Sequence, residues 1–214
     1  MNVRIRNATD KDIPFIGWAQ FAAARGHVKR GVWDVMCARD DRDCLAWLTR
    51  MAATEEPLSW TRWSNFIIAE VDGHAAAALE GYDPKVATMK YLITAIDQAS
   101  REMGWGGEID AINARFMPLE SCMHDYEEGA WIVENVACDP KFRRKGLVNM
   151  LLEEIFKRGR EQKLRVAQLS VFIGNTPAIT AYQKQGFRIA DEKRSPEFEK
   201  AIGCPGQYKM LREL

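Results

Sequence analysis

The sequence predicts a mixed α/β fold, with one central sheet of seven strands and helices flanking it. Three observations predict it. The chain opens with an alternating stretch and an Asp72-Gly73 hairpin signal, the marks of antiparallel sheet. From residue 130 onward strand and helix patterns alternate, which is the order of a right-handed parallel crossover. Between these parts, residues 83–130 read as helix alone and form an insert between the third and fourth strands. Neither helix of the insert could bury its apolar side alone, so residues 1–214 are expected to form a single domain.

Taken in order, Val3-Arg4-Ile5-Arg6 alternates like a strand with one buried face. Thr9 or Asp10 is placed to cap a helix over residues 11–24. Residues 40–53 carry Cys44, Leu45, Trp47, Leu48 and Met51 at helical spacing. Residues 65–71 and 74–81 are the two arms of the hairpin. In the insert, residues 86–103 form one helix, Gly104-Trp105-Gly106-Gly107 a break, and residues 109–126 a second helix disturbed by Pro118. The last part contains strands at 131–138, 166–173, 187–193 and 207–212. A helix over 147–162 and another starting at Thr176-Pro177 lie between them, with Gly186 closing the second. Residues 194–206 are expected to be loop.

Composition excludes several classes of function. Thirty Lys and Arg balance thirty Asp and Glu, so no broad basic face for nucleic acid is expected. No apolar run approaches the ~20 residues that span a bilayer, so no membrane role is expected. The five cysteines are odd in number, scattered and without a C-x-x-C pair, which favours reduced thiols and a cytoplasmic location. The three histidines lack ligand spacing, so no metal is expected.

The most telling stretch runs from Cys138 to Val148. It reads as strand end, turn, basic glycine loop and helix start. Four of the five residues from Lys141 to Lys145 are cationic in a chain of zero net charge. A glycine loop that opens a helix offers free N–H groups and the positive end of a helix dipole, a seat for pyrophosphate. It lacks the G-K-[ST] ending of a P-loop and the further glycines of a dinucleotide fingerprint.

Residues 143–148, Arg-Arg-Lys-Gly-Leu-Val, resemble motif A of the GNAT family of N-acetyltransferases, R/Q-x-x-G-x-G/A. Val148 stands where the family carries Gly or Ala. Downstream, Asn175, Ala178, Tyr182, Gly186 and Phe187 match every position of a second family pattern, N-x-x-A-x-x-x-Y-x-x-x-G-F. Ile5-Arg6-Asn7-Ala8-Thr9 with Asp12-Ile13 looks like the family's first strand and helix start. The resemblance covers most of the chain outside the insert.

The resemblance implies a GNAT-like fold in which two parallel strands, here 131–138 and 166–173, splay into a cleft for acetyl-CoA. It implies that backbone groups around Val136, Ala137 and Cys138 pair with the pantetheine arm. The amides of Arg143, Arg144, Lys145, Gly146, Leu147 and Val148 would then hold the pyrophosphate. Asn175 and Ala178 would face the cofactor. Tyr182 is the candidate acid for the departing thiolate, a phenol of pKa ~10 against ~8.5 for a thiol. Glu134 is the candidate base, a charge in an apolar strand row shared with Ile132, Val136 and Cys138. His124, Glu80 and Asp125 are its rivals. Cys138 could instead carry the acyl group covalently, although buried cysteine commonly serves as a small hydrophobe.

The expected activity is acetyl transfer from acetyl-CoA to a primary amine of a small molecule or peptide by direct attack. The alternative is an acyl-CoA-binding regulatory module without turnover. Residues 108–128 carry six acids against Arg115 alone. They read either as a cation-selective acceptor wall or as a solvated face. The insert and the terminal strand are the expected surfaces for a homodimer.

Overall fold

A computed structural model describes the whole chain, Met1–Leu214. The strands are β1 (Val3–Asn7), β2 (Phe66–Val71), β3 (His74–Tyr82), β4 (Ala130–Cys138), β5 (Val166–Phe172), β6 (Arg188–Arg194) and β7 (Gly206–Glu213). They form one seven-stranded sheet in the order β1-β2-β3-β4-β5-β7-β6. Only β4 and β5 are parallel; every other neighbouring pair is antiparallel.

The helices are α1 (Ile13–Arg25), α2 (Val32–Cys37), α3 (Asp41–Ala52), α4 (Met89–Glu102), α5 (Ile109–Glu120), α6 (Leu147–Glu161), α7 (Thr176–Lys184) and α8 (Pro196–Ile202). A 3-10 turn at Asp10–Asp12 precedes α1, with the Thr9 N–H donating to Asp12 Oδ2 at 2.7 Å. This turn takes up the start of the helix expected from residue 11. Asp40 caps α3 by accepting from the Asp43 N–H at 2.9 Å. None of these helices is long and apolar enough to cross a membrane.

Four expectations are corrected. α2 occupies residues left without an element, where Asp34 accepts from the Gly31 N–H at 2.8 Å and fixes the first turn. α8 replaces the loop at 194–206, with Ser195 Oγ accepting from the Phe198 N–H. α5 ends at Glu120 rather than 126, two residues after Pro118 has removed a helical N–H. α7 is preceded by Asn175 as its N-cap position, so Pro177 sits at the second helical residue, not the first.

Two cores sandwich the sheet. On one face, α6 buries Leu147, Leu151, Leu152, Ile155 and Phe156 against Ile67, Leu79, Val133, Leu169 and Met210. Both sides of the β4–β5 junction are therefore roofed by a single amphipathic helix. On the other face, α2, α3 and the insert helices surround Trp33, Trp47, Leu92 and Ile112. α1 lies over Ala78 and Ala137 through Ile16 and Ala19. The insert helices share this core with Ala130 and Ile132 of β4.

Candidate active site

β4 and β5 pair only through Ala130↔Val166, Trp131↔Ala167 and Ile132↔Gln168. β4 then runs on to Cys138 and β5 to Phe172 without further pairing to each other, so the sheet forks. The Asp139 N–H donates to Ala76 O at 2.9 Å, toward β3. Peptide groups alternate along a strand, so Ala137 also turns to β3 while Val136 and Cys138 turn their N–H and C=O into the fork. Of the three residues expected at this edge, Val136 presents a free N–H and C=O and Cys138 a free N–H. Arg143 folds back and donates from Nε to Cys138 O at 3.3 Å.

The basic loop closes the fork's mouth. Arg144 has φ 62° and Gly146 φ 77°, both left-handed. A Cβ on Gly146 would meet nothing within 4 Å, so the requirement there is conformational rather than steric. The amides of Arg144, Lys145, Gly146, Leu147, Val148 and Asn149 have no backbone acceptor. The Arg143 N–H is engaged with Pro140 O, so the free run starts one residue later than expected and reaches Asn149. Val148 turns its side chain toward the core that α6 covers, which leaves its amide available. Lys141, Arg143, Arg144 and Lys145 have no carboxylate partner. Six consecutive free donors at a helix start beside unpaired cations fit a pyrophosphate. The open strand edge fits an extended arm bearing amides.

α7 supplies the opposite wall. Ala178 and Tyr182 pack half-buried against the same core as Val136 and Cys138. The Tyr182 ring meets Phe187 edge-on, centroids 5.9 Å apart, and burial pushes its phenol up to about 12. Asn175 does not cap α7 with its side chain; it lies against the turn after α1, where a Cβ on Gly26 would sit 2.9 Å from its Nδ2.

Glu134 lies on the other face of the sheet. Asn135 is left-handed at φ 51°, and two β4 residues, Asn135 and Val136, oppose Leu79 alone. This bulge reverses the phase of the strand. Trp131 and Val133 before it, and Val136 and Cys138 after it, all face α6. Ala130, Ile132 and Ala137 face the other way, and Glu134 belongs with them by alternation. The expected row of Ile132, Glu134, Val136 and Cys138 is therefore wrong in its second half, because plain period-two alternation takes no account of an inserted residue.

Glu134 sits directly across from Glu80 in the β3–β4 register. Burial pushes its carboxyl up to about 7, against a smaller downward pull from the Tyr82 hydroxyl. Glu80 is completely buried, and both burial and the Glu134 charge raise it well above the ordinary carboxylate range. The Tyr82 and Tyr126 hydroxyls lie 3.4 Å apart beside the pair, and Trp60 stacks on Tyr82 with centroids 4.9 Å apart.

A strap after α5 carries Tyr126. Gln168, the last residue of β5 paired with β4, accepts from the Glu127 N–H at 2.8 Å and donates to Asp125 O at 3.1 Å. Lys209 Nζ reaches Glu127 at 2.6 Å, and Lys193 Nζ donates to Met123 O at 2.6 Å. His124 is held between Asp191, 3.2 Å from Nδ1, and Gln207 O, 3.1 Å from Nε2. Both of its ring nitrogens are occupied, which removes it as a rival base. Asp125 is exposed. The acidic excess of 108–128 is partly spent on ion pairs: Glu108 with Arg39 at 2.5 Å, and Glu127 with Lys209. Cys138 faces α6 with its thiol raised by burial, a poor setting for a thiolate. Reading the sequence missed Tyr82, Asn135 and Gln168. Each depends on a partner from a distant segment, and only the αL tolerance of asparagine left a trace in the sequence.

A sheet forked beside a free helix N-terminus, with a half-buried phenol on one face and a half-buried carboxyl on the other, fits a protein that handles an acyl thioester of a pyrophosphate-bearing carrier. The acetyltransferase (GNAT) family matches residues 33–187. The chain belongs to this family and is an acetyl-CoA-dependent acyltransferase. No curated protein matches it in sequence. Among solved structures it is similar to an acetyltransferase at 16% identity and TM-score 0.70, over 98% of each chain. It is similar to an N-acetyltransferase from Staphylococcus aureus Mu50 at 17% identity and TM-score 0.65, over 99% of this chain and 100% of that one. PaiA N-acetyltransferase from Thermoplasma acidophilum, in complex with coenzyme A, aligns over 100% of both chains at 13% identity and TM-score 0.52. At these identities the likeness is one of fold.

Proposed function

We propose that the protein transfers acetyl from acetyl-CoA to a primary amine by direct attack, with the donor entering from the α6 face and the acceptor from the face of Glu134. The observation that carries this reading is the fork. It opens the sheet between Tyr182 on one face and Glu134 on the other, so two reactants can meet through the gap. Bound acetyl-CoA supplies the acetyl group as a thioester.

The free amides of residues 144–149 and the adjoining cations bind the pyrophosphate, and Val136 and Cys138 pair with the arm. Ala178 and Tyr182 bound the other side, with Asn175 at the head of α7. A Val136 or Cys138 N–H donates to the carbonyl oxygen as negative charge gathers on it. Glu134 takes the amine proton, a role that suits a carboxyl held near neutrality. Tyr182 keeps its proton at working pH and donates it to the leaving sulfur. All five cysteines are unpaired, which supports a cytoplasmic setting.

The test is release of free CoA from acetyl-CoA when the purified protein is offered a panel of primary amines. At least one amine is expected to accelerate release. In Tyr182→Phe, turnover with that amine is expected to fall by ~10²-fold or more while the KM for acetyl-CoA stays within a factor of two. An unchanged turnover number would remove Tyr182 as the acid. A panel with no accelerating amine would remove the amine-acceptor reading.

A further inference from the structure

Glu80 is the one fully buried carboxyl in the molecule whose second oxygen lacks a partner. Its Oε1 accepts from Asn135 Nδ2 at 2.5 Å, and its Oε2 has nothing. No cation is at hand. Across β2 it faces Phe66. Across β4 it faces Glu134, with Tyr82 and Tyr126 alongside. α1 packs over this face and brings no ionisable group except Arg25, which Asp34 and Asp41 hold at 2.6 Å each. From the strap, His124, Glu127 and the neighbouring Lys193 and Lys209 are all engaged elsewhere.

A buried carboxylate with a bare oxygen and no cation would be very costly, so Glu80 holds a proton. A protonated carboxyl is a donor and needs an acceptor. The register sets the Glu134 carboxyl there. Side chains directly opposite on antiparallel strands have Cβ atoms ~5 Å apart, within reach of two glutamates. The bond to Asn135 does a second job. It fastens the left-handed residue whose bulge turns Val136 and Cys138 to the opposite face from Glu134.

We propose that Glu80 and Glu134 form a carboxyl dyad that shares one proton, and that Glu80 is the positioning residue which aims and tunes Glu134 as the base. This rests on Glu134 being the base. The proton balance is simple. The amine nitrogen gives its proton to the Glu134 carboxylate as the C–N bond forms. Glu80 keeps its own proton throughout and donates it as a hydrogen bond. Like charges this close cannot both ionise near neutrality, so the pair titrates in two separated steps.

Carboxyl-carbon NMR of the full chain labelled at glutamate tests the coupling without an acceptor substrate. Glu80→Gln keeps the volume, the acceptor for Asn135 and a donor toward Glu134, but cannot titrate. In it, the Glu134 midpoint is expected to rise by about one pH unit, because an amide donor stabilises the carboxylate less than a carboxyl O–H does. In Glu134→Gln, the Glu80 midpoint is expected to fall by a similar amount. Midpoints that ignore the other's removal would overturn the dyad. If Glu80→Gln fails to fold, the Glu134→Gln arm decides alone. The amine assay separates this from the larger reading. A Glu134→Gln enzyme with wild-type kcat/KM sinks Glu134 as base, whereas an inactive one with uncoupled midpoints sinks only the dyad.

Discussion

Glu134 is a site that costs the fold something, and the cost has a pH signature. Its folded carboxyl is raised from 4.5 to about 7, so between those values the folded state binds more protons than the unfolded state. Stability is therefore expected to decline as pH rises through that window and to stay lower above it. The loss is at most ~3–4 kcal/mol, the rise from 4.5 to about 7 taken at 1.36 kcal/mol per pH unit. Glu80 is raised for the same reason and adds in the same direction. Glu134→Gln removes the ionisation, so its melting temperature should match wild type at pH 5 and exceed it at pH 8. Thermal unfolding at both pH values checks this; parallel curves would contradict the buried-carboxyl account. The residue itself was legible, because a lone acid in an apolar strand stands out. Its separation from the strand edge was not, since a single left-handed asparagine turns Val136 and Cys138 to the face opposite the acid.

At the scale of the element, the bulge in β4 is the device that matters. It lets one strand present hydrophobic residues to α6, an acid to the opposite face and bare peptide groups to the fork. Asn135→Gly keeps the left-handed backbone at no steric cost, and Asn135→Val does not. The glycine variant should lose ~1 kcal/mol, from the missing bond to Glu80. The valine variant should lose ~2–4 kcal/mol by chemical denaturation and weaken acetyl-CoA binding, because straightening the strand re-aims Val136. Equal stability of the two variants would show that the backbone conformation is not the constraint. Long, strongly periodic elements were legible within a few residues: α3, α6, β2 and β3. The short helices were not. α8 has seven residues, too few to show a period, although Ser195-Pro196 followed by Glu197 carries a helix-start signature. α2 has six residues and is fixed by a side chain rather than by a stripe.

At the scale of the molecule, two short motifs disclosed the carrier and the fold because each encodes local geometry: a left-handed glycine before α6, and the α7 residues that pack on the α6-side core. The acceptor wall proposed above was not legible. It is assembled from β3, β4, β5 and the strap after α5, which Gln168, Lys193 and Lys209 fasten from strands remote in sequence. Local patterning holds no record of such a junction. Of the acidic residues of 108–128, Glu108 is paired with Arg39 and Glu127 with Lys209.

The fork also carries a clock. Val136 and Cys138 lie within a strand, yet their amides have no partner, while Ala137 and Asp139 between and beyond them are tied to β3. In the free protein, residues 136 and 138 should exchange amide hydrogen as quickly as a loop, and residues 137 and 139 as slowly as the core. Slow exchange at all four would mean that the gap is closed in solution. Adding coenzyme A should slow the fast pair and leave the slow pair unchanged. One short stretch of sheet would thus report, by every second residue, whether the enzyme is empty or loaded.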